Sequence, residues 1–347
     1  MIRTKKPTIN DVARIAQVSK TTVSRYINKK FHLISSEKQE RIKGVIQKLN
    51  YCPSQIAKGV KKGNTKLIAV IFSDIDSSYS VDVFKGIEKY ATEKGYALLF
   101  FHSEDNIEKE IKILKLLPSY LVEGIIIQSV KPENYAIRLS NVPVVAIDRE
   151  IKNYTCDLVG LNNEKAMEII FEHLTASNFD TFLFITETIR ISQARTVRYN
   201  SFKLLSEKYR PLISSSTIEI EDSNNLESLG RLIKLFIDKN DSKKISIISV
   251  NSKVTLNILY SLEKVNIQCG KDIGLISFDD PSWMKIISGG ITVLSQPTYR
   301  IGYSACKLLI DRITGKYEDG YKTIYYSGIL IERKSTTDME LKESYEK

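Results

Sequence analysis

The chain has 347 residues, 42% of them hydrophobic and 27% charged, which points to two or three domains rather than one core. Its net charge of +10 is unevenly placed: residues 1–66 hold 16 Lys and Arg against Asp11, Glu37 and Glu40, while the other 281 hold 35 against 38. No run approaches the ~18–20 apolar residues of a membrane span, and the opening MIRTKKPTIN lacks the apolar core of a secretion signal, so no membrane partner and a cytoplasmic location are expected.

The first elements are short helices. Thr8 can cap one, with Asp11 completing an approximate capping box. Ile9, Val12, Ala13 and Ala16 then give it a single apolar face. After a break at Gln17-Val18, Ser19 caps a second helix that buries Val23 and Ile27 and shows Lys20, Thr21, Thr22, Ser24 and Arg25 on its other face. Ser35 caps a third, carrying Ile42, Val45, Ile46 and Leu49. Two short helices joined by a tight turn, braced by a third and strongly basic, describe a helix-turn-helix unit for double-stranded DNA over residues 1–52. A small bundle with a solvated basic face is the alternative, but solvated faces usually mix signs.

Leu49-Asn50-Tyr51-Cys52-Pro53 ends this unit, because Pro disfavours helical geometry in the residue before it. Residues 53–64 form a linker too short to be a stable helix alone. From Leu67 short apolar runs alternate with amphipathic helices. The runs are 67–72, 97–102, 124–128, 144–148, 158–161, 182–186, 217–220, 245–250 and 273–278. Continuous apolar runs read as buried parallel strands, so residues 65–334 are expected to be a doubly wound α/β arrangement in two lobes. Lobe 1 is assigned to about 65–161 and 292–334, and lobe 2 to about 162–291. Residues 335–347 read as a polar tail without apolar heptads, which argues for a dimer over a coiled-coil tetramer.

The stretches T-I-N-D-V-A-R-I-A-Q-V-S-K-T-T-V-S-R-Y-I-N and L-N-Y-C-P-S-Q-I-A-K-G-V resemble the N-terminal signature of the lac-repressor (LacI/GalR) family, and the resemblance extends over essentially the whole chain. It implies a homodimeric transcription repressor on a pseudo-palindromic operator, with a periplasmic-binding-protein-like effector domain. Carried over by position, Lys20, Thr21 and Arg25 reach bases, while Thr8, Ser19, Thr22, Ser24 and Asn28 hold phosphates or cap helices. Ala57 and Val60 match the hinge residues that wedge a minor-groove base step, Val standing where Leu is usual. A plain linker is the other reading of that segment. Two departures stand out: Gln17 occupies a turn position that often holds Gly, and Gln39 one that usually holds Arg.

In such sheets ligands lie at the carboxyl ends of strands. The resemblance places there Tyr79 and Ser80, Asp148 of a D-R pair, Arg198 of an R-x-x-G-[FY] motif with Ser201 for Gly, and Asn251. It adds Asp279 of F-D-D and Gln296 of Q-P. Tyr79 can equally be core, Asp280 a cap or turn, and Arg149 a partner of Asp148. Arg190, Arg195 and Arg198 cluster in one strand-to-helix loop, and planar guanidinium groups suit carboxylate or phosphate. An anionic carbohydrate effector, a sugar acid or sugar phosphate, is therefore expected; a solvent-facing cluster is the alternative. The sequence is similar to keto-deoxygluconate-responsive regulators. Control by a phosphorylated carrier protein is the rival reading. Scattered Cys52, Cys156, Cys269 and Cys306, three histidines and the absence of phosphate-loop or nucleophile motifs predict no metal, no cofactor and no catalysis.

Overall fold

The computed structural model describes residues 6–53, 64–131, 141–210, 212–220, 226–317 and 320–337. It divides into two compact units, 1–65 and 66–347.

In the first unit, α1 (Ile9–Ile15) is opened by Thr8: Asp11 N–H donates to Thr8 Oγ1 at 3.3 Å, and Thr8 N–H to Asp11 Oδ2 at 2.9 Å. The Thr8 hydroxyl, donating to Asp11 Oδ2 at 2.7 Å, and then the Thr8 amide hold the Asp11 carboxyl below its ordinary range. Ser19 caps α2 (Lys20–Ile27) through the Thr22 amide at 3.1 Å. Ser35 stands at the N-cap of α3 (Ser36–Lys48), but its side chain makes no capping bond. Val12, Ala13, Ala16, Val23 and Ile42 form the core, with Ile9, Ile27, Val45, Ile46 and Leu49 half-buried around it. The turn residue Gln17 has φ +52°, the left-handed conformation that Gly adopts without penalty. Gln39 is committed to structure: its amide donates to the carbonyls of Phe31 and Ile34.

The second unit holds two six-stranded sheets. One is ordered β11-β5-β4-β3-β1-β2, from β1 (Leu67–Phe72), β2 (Ala97–His102), β3 (Gly124–Ile127), β4 (Val144–Ile147), β5 (Asp157–Leu161) and β11 (Thr323–Tyr326). The other is ordered β12-β10-β9-β8-β6-β7, from β6 (Thr181–Glu187), β7 (Ser214–Ile220), β8 (Ile245–Ser249), β9 (Gly274–Phe278), β10 (Thr292–Ser295) and β12 (Ile329–Ile331). All pairings are parallel except β10–β12. The helices covering the first sheet are α4 (Ser78–Glu93), α5 (Ile107–Tyr120) and α10 (Thr298–Ile313). Those covering the second are α6 (Asn163–Ala176), α7 (Gln193–Lys208), α8 (Leu226–Lys239) and α9 (Ser252–Lys264). Separate apolar cores fill the two lobes.

The lobe boundaries differ from those expected. β10 belongs to the second sheet rather than the first, because Thr292–Leu294 continue the ladder beside Ile276–Phe278. Residues 323–331, also assigned to lobe 1, are divided between the lobes: β11 completes lobe 1, but β12 returns to lobe 2. The chain therefore crosses between lobes three times, near 162, 296 and 327. Nor do the first residues of the expected tail trail away. Ser335 and Thr336, in α11 (Lys334–Thr337), are buried: Thr292 N–H donates to Ser335 Oγ at 2.7 Å, and His173 Nε2 lies 2.8 Å from Thr336 Oγ1. The Ser335 hydroxyl, expected in a solvated tail, serves the Thr292 amide and the Leu275 carbonyl of β10 and β9 instead.

Candidate functional site

The crossings bring the carboxyl ends of both sheets to one cleft. Tyr79, Ser80, Asp148, Arg195, Arg198, Asn251, Asp279 and Gln296 all line it, around a cavity of about 120 Å³, several times what one water requires.

Local structure explains how each is aimed. Ser77 caps α4 through the Ser80 amide, placing Tyr79 and Ser80 in the first turn, where Ser80 Oγ donates to the Asp74 carbonyl at 2.5 Å. Tyr79 is buried and its hydroxyl donates to Asp148 Oδ2, so it is both core and cleft. Asp148 itself stands at φ +57° just beyond β4. The room it occupies exists because residue 160 is Gly: a Cβ there would come within 2.7 Å of Asp148 Oδ1. Burial pushes the Asp148 carboxyl above its ordinary range, opposed by the Tyr79 hydroxyl and by Arg198.

Arg198 is the central cation. It is buried in α7, with Nε donating to Asn163 Oδ1 and Nη1 to the Val250 carbonyl, both at 2.7 Å. Its guanidinium carbon lies 3.7 Å from the centre of the Phe278 ring. Burial pulls its pKa down, while Asp279 and then Asp148 support the charge. Asp279, at φ +70°, accepts from Gln296 Nε2 at 2.6 Å and from the Ser252 amide at 3.4 Å, tying together the ends of β9 and β10. Asn251 caps α9, its Oδ1 accepting from the Val254 amide at 2.8 Å.

The arginine cluster is smaller than expected. Arg190 is exposed in the turn Ile189–Ile191 and does not line the cavity. Arg149 does line it. Rather than pairing with Asp148, it donates from Nη1 to the Ser129 carbonyl at 2.9 Å and lies 3.9 Å from Asp105. Asp280 is no simple turn residue either, since Arg333 Nη2 lies 2.9 Å from its Oδ2. Cleft residues not singled out beforehand include Asp74, Asp105, Gln128, Glu187 and Lys253. Asp105 and Gln128 follow β2 and β3, so the rule that ligands gather at strand ends, applied to every strand, finds them.

In the other unit, Lys20, Thr21 and Arg25 are exposed on α2. Thr22 Oγ1 lies 2.8 Å from Ser19 Oγ, and the Asn28 amide donates to the Ser24 carbonyl at 2.8 Å; Thr8 caps α1. Ala57 and Val60 lie outside the described residues. No metal-binding cluster and no helix able to cross a membrane occur among the described residues.

Residues 8–54 match the family described as bacterial regulatory proteins, lacI family, and residues 171–336 match a periplasmic binding protein-like domain. The chain is 31% identical over 333 residues to the HTH-type transcriptional regulator KdgR of Bacillus subtilis, covering 94% of this chain and 97% of that protein. It is 34% identical over 331 residues to the HTH-type transcriptional regulator PtxS of Pseudomonas putida, covering 95% and 96%. In fold it is similar to a lac repressor dimer crystallised with operator and an anti-inducer, at TM-score 0.81 and 20% identity over 96% of this chain and 99% of that one. A CelR–cellobiose complex is similar at TM-score 0.66 and 19% identity, over 95% and 99%.

Proposed function

The chain belongs to the lacI family of bacterial regulatory proteins and is a DNA-binding transcription regulator; on that premise we propose that its cleft binds a small carbohydrate-type effector carrying an acidic group. The carrying observation is the cleft itself. Asp148, Asp279, the Gln296 amide and the Tyr79 hydroxyl line it together with one buried guanidinium, Arg198, whose charge the two carboxylates support. Sugar hydroxyls both donate and accept, and such a mixed array meets both demands. Arg149 from one lobe and Arg195 from the other provide cations for a carboxylate or phosphate. A fold relative holding cellobiose supports the carbohydrate class.

The acting form is a cytoplasmic homodimer that represses transcription. Its two heads take half-sites of a pseudo-palindrome, Lys20, Thr21 and Arg25 reading bases while Ser19, Thr22 and neighbouring backbone hold phosphates. Effector shifts lobe closure, coupling cleft to operator by about 1–3 kcal/mol.

The test is operator release. A duplex selected by the protein is challenged with D-glucuronate, D-gluconate, glucose 6-phosphate, D-glucose and cellobiose. Changed operator affinity with an acidic member, and a weaker response to its neutral counterpart, is the expected result. A response to neutral sugars alone refutes the acidic class, and a response to a phosphorylated carrier protein alone refutes small-molecule control.

A further inference from the structure

Glu187 ends β6 inside the cleft with its side chain 16% exposed. Three donors surround its carboxylate. Arg195 Nη2 lies 2.5 Å and Asn251 Nδ2 2.9 Å from Oε2, while Lys253 Nζ lies 3.9 Å from Oε1. All four residues line the cavity. Two cations and an amide on one carboxylate are more than a paired acid needs, and they are the donor set of an anion-binding wall. Arg149 of lobe 1 lines the same cavity, beside the point where the Glu150 amide donates across the lobes to Gln193 Oε1 at 2.5 Å.

We propose that Glu187 is the chain's own occupant of an anion subsite and sets the charge selectivity of the cleft: an effector's carboxylate or phosphate binds by exchanging with it on Arg195, Lys253 and Asn251. The inference rests on reading the cleft as the effector site. Exchange is physically accessible because the pair is not sealed. Lys253 is 59% exposed and Arg195 18%, and ion pairs that water reaches open readily. With Glu187 in place the wall carries one net positive charge; with Glu187 neutral it carries two. Neutral ligands gain little from that change, so charge selectivity is the quantity Glu187 controls. Asn251 keeps its capping bond to Val254 through Oδ1 in either arrangement, so the exchange leaves α9 intact.

The experiment is calorimetric titration of the full-length protein with inorganic phosphate, D-glucuronate and D-glucose. It compares the natural sequence, Glu187→Gln and Lys253→Gln at one fixed salt concentration. Glu187→Gln is isosteric and retains an oxygen for Arg195. It should tighten phosphate and D-glucuronate about tenfold, one charge-pair's worth of discrimination, and change D-glucose less than twofold. Lys253→Gln, on an exposed side chain, should weaken both anions. Binding of phosphate by Glu187→Gln alone also supports the exchange. Equal anion affinities in the natural and Glu187→Gln proteins, including no binding by either, overturn it. If the anions gain as described while D-glucose outbinds D-glucuronate in the natural protein, the exchange stands and the acidic-effector reading falls.

Discussion

Replacing Arg198 by Lys keeps the charge and removes the geometry. The guanidinium satisfies Asn163 Oδ1 and the Val250 carbonyl at once, 2.7 Å each, while stacked 3.7 Å over Phe278. An ammonium on a flexible stem reaches one of those acceptors, not both, and does not stack. The loss of one charge-assisted hydrogen bond is worth about 1.5–3 kcal/mol, and the loss of the buried cation–π contact about 0.5–2. Lobe 2 should therefore lose about 2–5 kcal/mol. Arg198→Met asks a sharper question. It fills similar volume but strips Asp148 and Asp279 of their cation, so it should cost more than the Lys variant, within about 3–5 kcal/mol. Urea unfolding followed through Trp283, the one tryptophan, which packs on the lobe 2 core, reads the change in the right lobe. A Lys variant within about 0.5 kcal/mol of the natural protein, below the range for a lost buried bond, refutes the reasoning. So does a Met variant more stable than the natural one, because the buried charge would then be a pure desolvation cost.

Gly302→Ala should destabilise the body by about 1–3 kcal/mol or more by overpacking, since its Cβ would collide with the Val83 backbone where α10 crosses α4; thermal unfolding measures it. Gln17→Gly relieves a left-handed φ of +52° and should stabilise the head by about 0.5–1 kcal/mol, read as a higher melting midpoint of the head with operator affinity unchanged. His173, buried against Thr336, is held by burial below its ordinary value of 6.5, with Glu332 opposing. The unfolded chain then takes up the proton first, so the stability is complete above about pH 6.5 and declines as pH falls from there through the lower folded value; His173→Gln should flatten that part of a stability–pH curve. Lys20→Ala and Arg25→Ala should each cost about tenfold or more in operator affinity and relax the sequence preference at one base position, measured by titration against the selected duplex and its single-base variants.

The head and the positions of most strands were legible because their signals are local. Thr8 with Asp11, Ser19 with Thr22, and unbroken runs such as Leu67–Phe72 carry their own chemistry, and the structure places them at those residues. Helix starts carry a weaker signal in the sequence. Apolar periodicity begins at Phe84 and Tyr199, whereas α4 and α7 begin at Ser78 and Gln193. Those first turns hold Tyr79, Ser80 and Arg195, residues whose side chains face the cleft and so break the apolar stripe that periodicity detects. The course of residues 292–337 was misjudged for a different reason. β10 and β12 are four and three residues long, and nothing within such short runs says which sheet they join. Their assignment comes from distant partners, Phe278 beside Leu294 and Ile331 beside Val293. Glu187 and Lys253 were silent for the same cause, since a Glu at a strand end becomes meaningful only once Arg195 and Asn251 stand around it.

The most direct test of the account is selection by the full-length protein from random duplexes, sequenced after binding at two salt concentrations. A shared pseudo-palindrome is predicted, with affinity falling steeply as salt rises because Lys and Arg release counterions from phosphates. Sequence-independent binding, repeated even with a metabolite extract present, would contradict it.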